Sequence, residues 1–218
     1  GSNLTLSITV ENTFKDSDRD IRGINVKATI RDIDDGNDLE LEESDIELEP
    51  GNNQRVDMKF EIPVIVNSGT YDVRIEADGE ARNNTPVSIE LNLKLDVKKQ
   101  SHDIRITKVD LNPSILGCNG KTKLAASIAN AGSNMEDSAA LEFKSPSLGI
   151  KSIDRNIVLQ SSEDAIEEEK TYSKTLNIEI PSYVKSGTYP IDINAYWKNV
   201  VLFDRQTANL VVRDCGTS

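Results

Sequence analysis

The stretch EIPVIVNSGTY occupies Glu61–Tyr71, and EIPSYVKSGTY occupies Glu179–Tyr189; eight of the eleven residues are identical. Each part of the phrase has its own physical task. Glu-Ile closes an alternating strand, and proline, with no N–H to donate, stops the pairing there. The valine three residues after the proline can plug the connection onto a core. Ser-Gly is a turn signal, because glycine reaches positive φ without a steric penalty. Thr-Tyr then opens the next strand. A tyrosine at the start of the penultimate strand of a β-sandwich suits a tyrosine corner, with its ring inward and its hydroxyl bonded back to loop backbone. The sequence therefore predicts structural tyrosine corners at Tyr71 and Tyr189. The phrase holds no nucleophile–base pair and no convergent carboxylates, so it reads as scaffolding.

One offset of 118 residues extends the match. Glu61–Ala77 meets Glu179–Ala195 with ten identities in seventeen, and Leu6, Val10 and Asn12 fall on Leu124, Ile128 and Asn130. Two copies of about 100 residues indicate tandem domains, since solenoid repeats are much shorter. Period-two alternation runs through both copies. Leu4, Leu6, Ile8 and Val10 share a face, as do Val56, Met58, Phe60 and Ile62. By the same parity Ile89, Leu91, Leu93, Leu95 and Val97 are expected to face inward, and so are Tyr189, Ile191, Ile193, Ala195 and Trp197. Short strands with one wet face, spaced by Gly, Pro, Asn and Asp turns, predict an all-β fold of two tandem immunoglobulin-like antiparallel β-sandwiches. The polar run KKQSHD (98–103) is the expected joint, placing the domains at residues 1–99 and 103–216. The second domain opens with an extra strand, DIRITKVDLNPS (103–114), which has no counterpart ahead of LTLSITVEN (4–12). The first strand of the first domain is therefore expected to be missing or to come from elsewhere. Gly1–Ser2 has the form of a cloning remnant, so the chain reads as an excerpt of a longer one.

Composition narrows the functional classes. At 37% apolar, 5% aromatic and 28% charged, the 218 residues have an ordinary globular make-up. A net charge of −12 argues against nucleic acid and against a bare anionic membrane surface, both of which call for clustered Lys and Arg. The charge is concentrated: residues 1–100 carry 12 basic against 22 acidic side chains, and residues 101–218 carry 13 against 15. No apolar run approaches the roughly 20 residues of a membrane-spanning helix, so no membrane insertion is expected. Cys118 and Cys215 form no CxxC, and the lone histidine, His102, cannot complete a zinc set with them. Two readings remain: a disulfide tying the ends of the second domain, or two free buried thiols. The flanking positions favour the disulfide and with it an extracytoplasmic location.

Candidate chemistry is sparse. DSDRD (16–20) and DIDDGND (32–38) bring carboxylates close together, as calcium loops do, and Asp32, Asp34, Asp35 and Asp38 are the candidate ligands. Neither run fits the EF-hand spacing, and solvated sandwich loops explain them equally well. With one histidine, no glycine-rich phosphate loop and no nucleophile elbow, no enzyme activity and no cofactor are expected. Sugar platforms need exposed aromatic rings; Trp197 has inward parity, which leaves Tyr196 pointing outward with Tyr183 and Phe203 nearby. Asn3 and Asn83 lie in glycosylation sequons.

Strand ends at VEN and IAN, the stretch LEPGNNQRVDMKFEIP (48–63) with its Pro-Gly turn, and a proline followed by Ser-Gly-Thr-Tyr before a late strand make both units similar to the cell-adhesion-related (CARDB) family and archaeal S-layer-associated immunoglobulin-like repeats. The second copy departs from the pattern at Glu168–Glu169, where Pro-Gly would stand, and adds the cysteine pair. The resemblance implies non-catalytic, extracellular, cell-surface repeats that assemble with one another or with protein partners. The rival expectation is a glycan- or calcium-binding accessory module of a secreted enzyme.

Overall fold

Where apolar and polar residues alternate, the backbone is strand. The structure, a computed structural model, describes residues 2–16, 19–82, 84–117, 120–161, 165–181 and 183–213, and nearly all of its regular structure is β. The chain divides into two compact units, Gly1–Lys98 and Lys99–Ser218.

The first unit runs β1 (Ser2–Glu11), β2 (Ile21–Asp34), β3 (Asn37–Leu48), β4 (Asn53–Ile62), β5 (Gly69–Ala81) and β6 (Thr85–Val97). Strands β3-β2-β5-β6 form one antiparallel sheet and β1-β4 a second. The two sheets bury one common core. Val26, Ala28 and Ile30 of β2 meet Val56, Met58 and Phe60 of β4 and Val73, Ile75 and Ala77 of β5. Every second residue of these strands is inward, as the pleat requires. Pro50 and Gly51 (φ 78°) form a type II turn, closed by the Asn52 N–H on the Glu49 carbonyl at 3.0 Å, and set the entry to β4.

The second unit repeats this plan and adds to it. Its strands are β7 (Ile104–Asn112), β8 (Ile115–Leu116), β9 (Lys121–Asn130), β10 (Glu136–Ser145), β11 (Ile150–Leu159), β12 (Thr171–Glu179), β13 (Gly187–Trp197) and β14 (Val201–Val212). One turn of 3₁₀ helix (Pro146–Leu148) and a short helix α1 (Glu167–Lys170) interrupt them. The sheets are β11-β10-β13-β14-β8 and β12-β9-β7, antiparallel except for the short β14–β8 pair. Phe143, Leu141, Leu124, Ile128, Ile191, Ile193 and Leu210 are fully buried between them. Strands β9, β12 and β13 lie at the 118-residue offset from β1, β4 and β5. Helix α1 takes the place of the Pro50–Gly51 turn. At its end Lys170 is buried, and Gln160 donates its N–H to the Glu169 carbonyl at 2.8 Å.

Among the described residues the second unit has two strands without a counterpart in the first, β7 and the short β8. In the second, β7 pairs antiparallel with β9 and buries Ile104 and Ile106. In the first, among the described residues, β1 pairs with β4 alone. This corrects the inward reading of the β6 stripe. Ile89, Leu91 and Leu93 sit opposite the core residues Ala77, Ile75 and Val73, and therefore on the core face of their sheet. They are nonetheless 70%, 52% and 42% exposed, because among the described residues no strand of the facing layer reaches over them.

Two further expectations change. Residues 100–103, read as a joint, are tied into the second unit. The Ala131 N–H donates to the Asp103 carbonyl (2.7 Å), that of Ser133 to Gln100 (2.8 Å) and that of Asn134 to Ser101 (3.0 Å). Trp197, read as core by parity, is half-buried and packs against the core at the end of β13, beside a bulge at Phe203 of β14.

Candidate functional site

The repeated phrase builds the same corner twice. After β4 and after β12 the proline ends the ladder, and Val66 and Val184 pack onto their respective cores. The Tyr71 hydroxyl then donates to the Asn67 carbonyl at 2.9 Å, and the Tyr189 hydroxyl to the Lys185 carbonyl at 2.7 Å. Each ring is half-buried against its core. Tyr71→Phe and Tyr189→Phe are each expected to lower stability by about 1 kcal/mol, the net worth of one such hydrogen bond. Their combined effect should be additive, since the two lie in separate units. Calorimetric melting of the single and double variants checks this, and unchanged melting would remove the corner from the account.

A second repeated device was visible in the sequence only as the closing Asn of VEN and IAN. Asn12 and Asn130 are 0% and 1% exposed. The Asn12 Oδ1 accepts the Phe14 N–H at 3.1 Å, and its Nδ2 donates to the carbonyls of Arg19 (2.8 Å) and Leu48 (2.9 Å). The Asn130 Oδ1 accepts the Gly132 N–H at 2.9 Å, and its Nδ2 faces the carbonyls of Asn134 (2.7 Å), Leu159 (3.3 Å) and Gln160 (3.3 Å). Each asparagine thus shapes its own turn and holds the end of a strand from the opposite sheet. An amide suits the task because it both accepts and donates while carrying no charge to desolvate.

The acidic candidates stand on the β2–β3 hairpin. Asp35 (φ 49°) and Gly36 (φ 83°) form the two-residue turn, an Asp-Gly pair of the kind that favours type I′ geometry. Asp38 Oδ1 accepts the Asp32 N–H at 2.9 Å, and the Asp34 carbonyl accepts Asn37 Nδ2 at 2.9 Å. Asp32, Asp34, Asp35 and Asp38 are not brought together as ligands, and among the described residues no group of three or more His, Cys, Asp or Glu is placed to hold a metal ion. Cys118, Cys215 and Asn83 lie outside the described residues. Asn3 is exposed on β1.

Three polar clusters in the second unit escaped the sequence reading. His102 Nδ1 lies 2.8 Å from Oε1 of the buried Glu136, and its ring stacks on Trp197 with centroids 4.6 Å apart. Tyr196, read as a free outward ring, is half-buried and donates to Glu142 Oε2 at 2.7 Å. Burial, aided by that hydrogen bond, pushes its hydroxyl up to about 12. At the paired edges of the two sheets, Asp154 on β11 accepts Lys174 Nζ and the Tyr172 hydroxyl from β12, each at 2.5 Å. The bond to Asp154, with burial, pushes Tyr172 up to about 12. The Lys174 ammonium, and then the Tyr172 hydroxyl, hold the Asp154 carboxyl below the usual carboxylate value. A carboxylate depressed in the folded state stabilises above its unfolded pKa, and that stability is lost as pH falls through the folded pKa. Asp154→Asn is therefore expected to be less stable than the parent at pH 7, with the gap closing in acid below about pH 4. Melting curves across that range test the sign.

Chemically, these groups are hydrogen-bond donors and acceptors already committed to one another. An open polar groove of ≈ 750 Å³ in the first unit is lined by Asp20, Arg22, Glu47, Glu49 and Asn52 to Gln54, a mixture of both charges. Among the described residues no helix is long and apolar enough to cross a membrane.

No protein-family model matches the chain, and no curated protein does. Among solved structures it is similar to red sea bream transglutaminase, at 11% identity and a TM-score of 0.37, over 98% of this chain. The chain spans 29% of that enzyme's length, and the likeness lends nothing to the reading of function.

Proposed function

We propose that the chain is a pair of tandem immunoglobulin-like β-sandwiches acting as non-catalytic structural or adhesive modules of a larger, extracellular, S-layer-like protein. The observation that supports this is the duplicated framework, in which the repeated polar residues, Asn12 with Asn130 and Tyr71 with Tyr189, all hold backbone. Such modules work by geometry: they keep spacing and offer strand edges and loops to neighbours. Beads coated with the full chain are expected to adhere saturably to purified archaeal envelope sheets or to one another. Single chains pulled from their ends are expected to unfold in two steps, one per unit. Absence of adhesion together with unfolding at negligible force would sink the reading. The rival, a calcium- or glycan-binding accessory module of a secreted enzyme, draws on the carboxylates of the β2–β3 hairpin. Micromolar Ca²⁺ binding by calorimetry, with a raised melting temperature, would favour it.

A further inference from the structure

The duplication lets one sheet face be compared with its counterpart. The order β3-β2-β5-β6 of the first unit recurs in the second as β11-β10-β13-β14. On the solvent face of the first sheet, Lys27 pairs with Glu40, and Arg74 with Glu76 and Glu90, all at 2.8 Å, while Lys94 pairs with Asp72. The second sheet breaks this matching. At the 118-residue offset Glu76 becomes Asn194, and the residue opposite it changes from Glu90 to Arg205. Lys144 on β10 faces Lys151 on β11, a like-charge cross-strand pair that costs stability as it stands. Among the described residues Lys144, Lys151, Arg155 and Arg205 are exposed, and none of the four forms an ion pair.

These cations flank a partly apolar centre. Leu202, 44% exposed, stands opposite Tyr196, and the half-buried Ile153 stands opposite Glu142. The acids of the same rows are engaged. Glu142 Oε2 accepts the Tyr196 hydroxyl and Asn194 Nδ2 (3.1 Å), and Asp192 Oδ1 accepts the Thr207 hydroxyl (2.9 Å). Arg205 Nε donates at 2.8 Å to Oδ1 of Asn194, a side chain only 2% exposed, and this fixes the guanidinium while leaving its terminal nitrogens unpartnered. Arg155 lies near enough to act on the Tyr196 hydroxyl, and its Nη1 reaches the Asn199 carbonyl only at 3.5 Å. Tyrosine and arginine around a small apolar centre are the side chains enriched where proteins meet.

Charge selects the occupant. Residues 1–98 carry 11 basic against 22 acidic side chains, and residues 99–218 carry 14 against 15. The acidic excess of each copy lies in its first unit, and the unmatched cations lie on one face of its second. Strand β3 gathers much of the excess: it has six acidic side chains and no basic one, and it stands at the edge of its sheet. Asp34, Glu42 and Glu43 of the β2–β3 hairpin are exposed and form no ion pair. Carboxylates brought against Lys144 and Lys151 offset the repulsion between them. A contact between two unlike surfaces gives each copy one of either kind, so association runs head to tail into rings or open arrays.

We propose that the solvent face of β11-β10-β13-β14 around Tyr196 is a docking site for the acidic β2–β3 hairpin of a second copy of this chain. This names the partner for the assembly role above and rests on that reading. The test is sedimentation velocity of the full chain over a concentration series. The parent is expected to associate as concentration rises at low ionic strength and to dissociate in about 0.5 M NaCl, which screens exposed charges. One variant carries Lys151→Glu with Arg155→Glu, and another carries Asp34→Asn, Glu42→Gln and Glu43→Gln. Each is expected to weaken association more than about tenfold without lowering the melting temperature, since these side chains are exposed and unpaired. Mixed in equal amounts, the two variants retain one intact face and one intact hairpin between them, and are expected to form one-to-one dimers and nothing larger. Lys108→Glu with Lys185→Glu changes the net charge equally and is expected to associate as the parent does. A parent that stays monomeric overturns the proposal, as does association that survives Lys151→Glu with Arg155→Glu. Equal loss in the Lys108 and Lys185 variant, or a mixture that stays monomeric, overturns it too. Beads that adhere although the free chain is monomeric overturn this inference alone, and association by this contact with beads that do not adhere counts against the adhesive reading alone.

Discussion

Phe143→Ala is expected to lower the melting temperature of the Lys99–Ser218 unit by about 10–20 °C. Phe143 sits on β10, between β11 and β13, and is 0% exposed. Its neighbours in the core, among them Leu141, Ile191 and Ile193, belong to strands fixed by their own ladders and cannot collapse into the space it leaves. Truncating a buried phenylalanine costs about 3–5 kcal/mol through lost burial and the residual cavity. Phe143→Leu keeps most of the volume and is expected to cost less than about 2 kcal/mol. Calorimetry of the full chain measures both. The transition of the first unit should not move, and a shift of both transitions would show that the two units unfold as one.

The second large effect is expected from Asn130→Ala, at about 3 kcal/mol. Deletion of the amide leaves the Gly132 N–H and the carbonyls of Asn134 and Leu159 without the partner they have in the folded unit. A buried backbone group stranded in this way costs about 1–3 kcal/mol. Asn130→Asp separates hydrogen bonding from shape. It keeps the volume and the acceptor, loses both donors and sets a charge against carbonyls. It is expected to be at least as damaging as alanine near pH 7, and less so when protonated in acid. Equal melting of the parent and Asn130→Ala would mean that water replaces the amide without loss.

What the sequence disclosed followed from period and repetition. Alternation at Val56, Met58 and Phe60, or at Ile191 and Ile193, states which face is buried, because the pleat leaves no other choice. Identity at one offset states that two units share a plan. The parity rule failed at Ile89, Leu91 and Leu93 because it assigns a face of a sheet; whether another layer covers that face depends on strands far away in sequence. At Trp197 it gave the right side, and the ring is only half-buried because β13 ends there. The Asp-Gly pair at Asp35–Gly36 was a legible hairpin turn, yet in a run of carboxylates it competed with a metal-loop reading. Asn12 and Asn130 matched across the repeat, but polar residues are mostly exposed, so nothing in a single sequence marks these two as buried. The His102–Glu136 and Tyr172–Asp154 contacts span 34 and 18 residues, and no local pattern encodes such meetings.

The bonds that hold β7 also set a schedule. Ile106 receives its side-chain partners from Asp204 and Gln206, 98 and 100 residues downstream. A ribosome adding about 5–20 residues per second needs roughly 5–20 s to supply them. During that interval Ile104 and Ile106 have left the tunnel with their final covering strand still unmade. The opening strand of the second unit can therefore pair with β9 early, but it gains its bonds to β14 only once the last strand is made.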